Sequence, residues 1–337
     1  MKSCMTCLFL VVLILLPLNV YAEVGVIQKT FTDEQRGREL VTHIWYPCEN
    51  QETCLVADNV VFKGFNAVQN GVIKNGKFPL YILLHGTTGN WKNLSWLAAR
   101  LTEGGAIAAA ANHPGYTSGN ATPATVLRMW DQPTDASFLL DQLLASKFGR
   151  NIDKKRIFVV GYSLGGYSAM ALAGAELDMK QYVNYCLKND DESCRYFKPA
   201  FAELTASFYK KSSGNHLDQR IAGCIAIAPG FVLSMTDKSL ANIKIPTLVI
   251  GAESDKNIPP KTQLYPKVKS FSKAVHYKEI KDASHFSFMQ LCKPNASVIL
   301  AEEKAEFVCI DGAVKDRKAI HDELFRLITD FAKNIVK

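Results

Sequence analysis

Six short apolar runs, separated by amphipathic stretches, dominate the chain from residue 80 onward: Leu80–Leu84, Ala106–Ala111, Arg156–Val160, Ile221–Ala228, Thr247–Ile250 and Val275–Ile280. Runs this short and this apolar read as strands buried on both faces, while 91–102, 132–147 and 164–176 have the look of helices between them. A strand buried on both faces needs a layer above and a layer below. The expected fold class is therefore α/β, with a mostly parallel central sheet and helices on both faces. Val24–Phe31 and Glu39–Tyr46 are expected to open the sheet. Ile320, Leu324, Leu327, Ile328 and Phe331 recur at helical spacing, so a helix over roughly 315–335 should close the chain.

Residues 176–220 break this rhythm, because they separate the 164–176 helix from the next strand without supplying a strand. The segment has the length of an insertion and carries Tyr182, Tyr185, Tyr196, Phe197, Phe201, Phe208 and Tyr209. That much ring surface suits a cap over an acyl or aromatic-binding cleft.

Residues 1–22 read as a signal peptide: Lys2, an apolar core over Leu8–Leu16, and small residues at Val20-Tyr21-Ala22. Pro17 and Asn19 interrupt the stretch short of the roughly 20 apolar residues of a membrane span. The expected product begins at Glu23, is secreted or periplasmic, and has no stable membrane span. Cys4 and Cys7 leave with the signal, so the other seven of the nine cysteines meet an oxidising compartment. An odd count suggests three bridges and one spare thiol. Short-range pairing gives Cys48–Cys54, Cys186–Cys194 and Cys292–Cys309, with Cys224 buried and free in an apolar run. Without Lys2, the 39 Lys and Arg become 38 against 32 Asp and Glu, a net charge of +6 without a basic run. Nothing there favours a nucleic-acid partner. Asn93, Asn120 and Asn295 head N-x-[ST] sequons, relevant only in a host that glycosylates exported proteins.

The chemistry centres on Gly161-Tyr162-Ser163-Leu164-Gly165, which follows one expected strand and opens an apolar helix. That context suits a nucleophile elbow, in which glycines make room for a serine on a strained strand-to-helix turn. A serine hydroxyl needs a base, and His285 follows the last expected strand at the sheet rim. His43, His216, His276 and His321 are more easily structural or exposed. The base needs an orienting acid between nucleophile and histidine in chain order. Asp255 fits best, directly after Thr247–Ile250, with Glu253 the near rival and Asp282 the distant one. Oxyanion donors are expected from the backbone N–H of Leu164 and from His85-Gly86-Thr87-Thr88-Gly89, where Thr87 is preferred and Thr88 is the alternate. His85 reads as a residue that shapes this turn. His113-Pro114-Gly115 ends the next strand at the same rim and either borders the pocket or serves the turn.

Over about residues 40–335 the chain resembles the α/β-hydrolase superfamily. Within it, the chain resembles the predicted dienelactone hydrolases and the platelet-activating-factor acetylhydrolases. The likeness rests on Ile44-Trp45-Tyr46-Pro47, His85-Gly86, His113-Pro114-Gly115, Met129-Trp130-Asp131-Gln132-Pro133-Thr134-Asp135 and the Ser163 elbow. It implies the α/β-hydrolase fold for residues 23–337, with a cap insertion at about 176–220. True dienelactone hydrolases carry cysteine at the nucleophile position, so Ser163 turns the expectation toward ordinary ester hydrolysis. The expected substrate is a small-molecule ester or lipid, with no metal and no organic cofactor. A phospholipase, an acetylhydrolase or a serine peptidase would use the same three side chains, and a catalytically silent binding module stands as the reading from another class.

Overall fold

The computed structural model describes residues 23–49 and 51–335. The expected signal peptide, with Cys4 and Cys7, lies outside the described residues.

Ten strands join in the order β10-β9-β8-β7-β5-β6-β2-β1-β4-β3. They are β1 (Glu23–Asp33), β2 (Arg38–Cys48), β3 (Cys54–Val56), β4 (Phe65–Gln69), β5 (Phe78–Leu84), β6 (Ile107–Ala111), β7 (Ile152–Tyr162), β8 (Gly223–Ile227), β9 (Thr247–Ala252) and β10 (Val275–Ile280). From β10 to β6 every neighbouring pair is parallel. β2 joins β6 and β1 in antiparallel register. The sequence gives no warning of β3 and β4, because short edge strands of mixed polarity resemble loops.

Side-chain alternation explains why the central strands are apolar throughout. Leu80, Ile82 and Leu84 of β5 enter one core and Tyr81 and Leu83 the other; Ile157 and Val159 of β7 oppose Phe158 and Val160 in the same way. Helices Asp131–Ala145 and Leu164–Leu172 cover the first face with Leu139, Leu140, Leu143 and Met170. Helices Ser95–Glu103 and Arg317–Ile335 cover the second with Leu97, Leu101, Ile320, Leu324 and Ile328. The expected 164–176 helix ends early, at Leu172, where Gly174 takes a left-handed φ of 104° and turns the chain.

Residues 176–220 contain no strand and fold into helices Met179–Lys188, Glu192–Phe197 and Ala206–Ser212 with a 3₁₀ turn at Lys198–Glu203. A second excursion, between β10 and the last helix, contains the short helix Ala296–Ala301 and 3₁₀ turns at His285–Phe288 and Glu306–Cys309.

Two of the three expected bridges form, Cys186–Cys194 and Cys292–Cys309, while Cys48, Cys54 and Cys224 are free thiols. The Cys48–Cys54 pairing is corrected by where the strands go. Cys48 ends β2 buried in the core beside Gly71, whereas Cys54 begins β3, exposed, with its sulfur 3.6 Å from the Ala67 carbonyl of β4. Burial in β8 pushes the Cys224 thiol well above its ordinary value, as befits an inert core side chain.

Candidate active site

β7 delivers Ser163 at its carboxyl end, and the serine backbone sits at φ 56° and ψ −116°, a conformation that non-glycine residues rarely adopt. Neighbouring strand and helix hold it there. Its N–H donates to the Ile227 carbonyl of β8 at 2.9 Å, and its carbonyl accepts from Tyr167 at 3.1 Å and Gly230 at 3.0 Å. The flanking glycines are steric necessities. A Cβ at Gly161 would lie 1.8 Å from the Gly165 carbonyl oxygen, and one at Gly165 would lie 2.2 Å from that of Leu84.

His285 follows β10 and reaches back across the rim. Its Nε2 lies 3.1 Å from Ser163 Oγ and its Nδ1 2.6 Å from Asp255 Oδ2. A carboxylate only accepts, so Nδ1 carries the proton and Nε2 is left to accept from the serine hydroxyl. All three side chains are buried. Asp255 lies in the loop just past β9, where its other oxygen, Oδ1, accepts from the N–H groups of Asn257 at 2.9 Å and Ile258 at 2.8 Å. The His285 backbone is held as well, since Tyr162 OH donates to its carbonyl at 3.0 Å.

The rival acids have other employment. Asp282 points away from the histidine and accepts from the N–H groups of Ala313, Val314 and Lys315 at 2.9, 2.6 and 2.6 Å, anchoring the loop before the last helix. Glu253 accepts from the Asp282 N–H at 2.9 Å. Among the rival histidines, His43 stacks on Trp91, His321 stacks on Trp96, and His276 lies exposed on β10.

Leu164 is the first residue of its helix, and its N–H makes no hydrogen bond among the described residues, as expected at a helix start. Thr87 N–H is likewise unpaired, and its aim is set by its own peptide unit. The Gly86 carbonyl accepts from His85 Nδ1 at 2.8 Å and from Gly89 N–H at 3.0 Å. In a trans peptide the N–H opposes the C=O, so pinning this carbonyl fixes the direction of the Thr87 N–H, and Thr87 lines the cavity at Ser163. Thr88 is exposed, with φ 55°, and its hydroxyl turns back onto the Thr87 carbonyl at 2.7 Å. Gln132 Nε2 donates to the His85 carbonyl at 3.0 Å and Gln132 Oε1 accepts from Ser168 at 2.7 Å, tying this loop to both helices of one face. Burial, reinforced by neighbouring His113, pulls His85 down to about 3, so the ring stays neutral and keeps its donor on Nδ1.

His113 does not line the cavity. It belongs to a buried support beneath it, with Nδ1 3.0 Å from Asp135 Oδ2, while Arg38 grips the same carboxylate at 2.7 Å through both Nε and Nη2. Burial pushes the Asp135 carboxyl up, but hydrogen bonds and charge from His113 and Arg38 outweigh it and hold the group at about 2. The Trp130–Asp135 stretch is thus a brace between β2 and the rim.

The cavity above Ser163 encloses about 480 Å³. Cavities of about 390 and 570 Å³ open elsewhere, against the last helix, but neither contains Ser163, His285 or Asp255. One wall comes from 176–220: Tyr182, Tyr196 and Phe197 line it, with Phe231 from the loop after β8 at 4.6 Å from Tyr182 and 5.3 Å from Phe197 between ring centres. Phe201, Phe208 and Tyr209 pack the segment onto itself or onto Trp130 and do not reach the cavity. The opposite wall is Phe286, Met289, Leu300, Phe307 and Val308, which sequence reasoning passed over. Its available signal was the close pair Cys292 and Cys309 directly after His285. Asn93, a sequon residue, is buried with its side-chain oxygen bonded to Asn90 N–H at 2.9 Å, so it is a turn residue and not an accessible acceptor. Among the described residues, no group of three or more His, Cys, Asp or Glu could hold a metal ion, and no helix is long and apolar enough to cross a membrane.

The sequence profile of the alpha/beta hydrolase family matches residues 81–293, which spans β5 to the loop carrying His285. No curated protein matches the chain. Among solved structures, a ferulic acid esterase from Streptomyces cinnamoneus is similar over 94% of this chain and 91% of its own, at 16% identity and a TM-score of 0.62. At that identity the likeness establishes a shared fold.

Proposed function

The chain belongs to the alpha/beta hydrolase family, and on that premise we propose that it is an exported serine hydrolase that cleaves carboxylic esters through an acyl-enzyme. Ser163 Oγ attacks the ester carbonyl while its proton passes to His285 Nε2, and Asp255 stabilises the imidazolium that forms. The N–H groups of Leu164 and Thr87 receive the negative charge on the carbonyl oxygen, each worth about 3 kcal/mol in the transition state. His285 then protonates the leaving alcohol, and a water deprotonated by the same base releases the acid. These steps require no metal and no organic cofactor.

The observation that carries this reading is the unbroken hydrogen-bond chain, 3.1 Å from serine to imidazole and 2.6 Å from imidazole to carboxylate, opening into an apolar cavity. The 176–220 segment acts as a cap whose rings contact the substrate. The likeness to dienelactone hydrolases and platelet-activating-factor acetylhydrolases rests on sequence motifs alone, and serine at 163 favours ordinary esters within it. Export is supported by the two disulfides and by the character of residues 1–22. Ser163→Ala is the test: it should abolish turnover of a short-chain p-nitrophenyl ester while leaving the circular dichroism spectrum unchanged. Turnover that survives the substitution would refute the assignment.

A further inference from the structure

The cavity of about 390 Å³ against the last helix lies away from Ser163 and has a lining of its own kind. Pro79 and Tyr81 of β5, Phe158 of β7, Leu101 of helix Ser95–Glu103 and Phe325 of helix Arg317–Ile335 make most of it apolar. Tyr81 is only 5% exposed, and its ring stacks on Phe158 at 4.9 Å between centres. Its hydroxyl makes no hydrogen bond among the described residues and, unlike those of Ser95 and Thr102, is not sealed in the core, so it opens on the slot that the ring lines. The charged residues lining the slot are Arg156 and Lys333, both cations. Arg156 is held in place, with Nε donating to Asp153 at 2.7 Å and Nη2 to the Lys77 carbonyl at 3.2 Å, which leaves Nη1 without a partner among the described residues. Lys333 enters no ion pair among them. Of the acids that adjoin these residues in the chain, Asp153 is engaged by Arg156, Asp330 borders the other cavity beside β10, and Glu103 lines neither. Lys77, Lys154 and Lys155 adjoin the same end and add to the positive side.

We propose that this slot is a second binding site, separate from the cavity at Ser163, that takes a carboxylate bearing an apolar chain or ring. The apolar body lies against Phe158, Leu101 and Phe325, while the carboxylate meets the Tyr81 hydroxyl and Arg156, with Lys333 adding attraction. A wholly apolar guest would cover the Tyr81 hydroxyl without pairing it, and a cation would face two like charges; an anion with an apolar body avoids both costs. Burial pushes the Tyr81 phenol up to about 12 while the charge of Arg156 pulls against it, so the hydroxyl keeps its proton at neutral pH and donates. The slot's volume falls within the range of about 300–1,000 Å³ that small-molecule sites occupy. None of its residues serves the ester-hydrolase reading, so the site stands even if Ser163 is inert.

Isothermal titration at pH 7 and low salt, with octanoate set against octan-1-ol, separates charge from chain length. Octanoate should bind roughly tenfold more tightly than the alcohol, and added salt should narrow the gap. Tyr81→Phe, which removes one hydroxyl and keeps the ring, should weaken octanoate several-fold. Arg156→Gln combined with Lys333→Gln should bring octanoate down to the level of the alcohol. Thr329→Phe, which fills the slot from the last helix, should remove the site for both. An unchanged circular dichroism spectrum in each variant confirms that the fold is kept, and the two substitutions at the mouth preserve the test if Thr329→Phe does not fold. No octanoate binding by the unaltered protein, or binding that these variants leave intact, would overturn the second site; equal affinity for acid and alcohol would overturn its preference for an anion.

Discussion

The rim of the sheet and the two segments that overhang it are held by different physics. Ser163, Asp255 and His285 stand in the turns that follow β7, β9 and β10, fixed by a ladder-like bond to β8, by glycine contacts that admit no side chain, and by two backbone N–H groups on Asp255. Residues 176–220 and 286–316 contain short helices and no strand, and each carries a disulfide, Cys186–Cys194 or Cys292–Cys309. The body's buried thiols, Cys48 and Cys224, stay unpaired. On the proposed reading, reactivity belongs to the hydrogen-bonded body and selectivity to the covalently braced walls. Changes to one should leave the other recognisable.

The largest expected separation comes from Asp255→Asn. It preserves shape but removes the carboxylate that sets the imidazole tautomer, so kcat should fall by about 10⁴ while KM changes little. Steady-state kinetics on a p-nitrophenyl ester measure it, and a drop confined to KM would break the division.

Acid should weaken the body next. Burial pulls both His85 and His321 down to about 3, below the ordinary histidine value of about 6.5 in the unfolded chain. Because the unfolded state binds these protons first, their contribution is complete above pH 6.5 and is lost as pH falls toward 3. At pH 5 each costs about 2 kcal/mol. Urea midpoints at pH 7.5 and pH 5 check this, and equal midpoints would contradict it.

A smaller effect tests the aim of the Thr87 N–H, the proposed oxyanion donor. His85→Ala frees the Gly86 carbonyl and should lower kcat by about tenfold to a hundredfold. His85→Asn, whose side-chain amide nitrogen falls near the place of Nδ1, should restore much of the loss, whereas His85→Gln should not. Equal losses in all three would reduce His85 to a packing residue.

Reduction of the disulfides should give the smallest change in chemistry. Each closed loop is worth about 3 kcal/mol of local order, so mild thiol treatment should raise KM several-fold and leave single-turnover acylation of Ser163 largely intact. Lost acylation with unchanged KM would reverse the proposed roles of body and walls.

Legibility in the sequence follows the same boundary. The buried parallel strands, the elbow and the places of the proposed acid and base after successive strands are local signals, because apolar runs and turn glycines report their own surroundings. Asp255 was separable from Glu253 and Asp282 only weakly, since which carboxylate faces an imidazole depends on how two loops cross; the structure occupies Asp282 with three backbone N–H groups. The Phe286–Val308 wall went unread because its rings meet the cavity only after the chain folds back over β10. Cys48 and Cys54 looked close enough to pair, yet one ends a core strand and the other begins an edge strand.

The most direct test is the site of covalent modification by a fluorophosphonate. Intact mass and peptide mapping of the folded protein should find one adduct, on Ser163, formed orders of magnitude more slowly in His285→Ala. An unmodified folded protein, or an adduct on any other residue, would contradict the account and leave a hydrolase-like binding protein in its place.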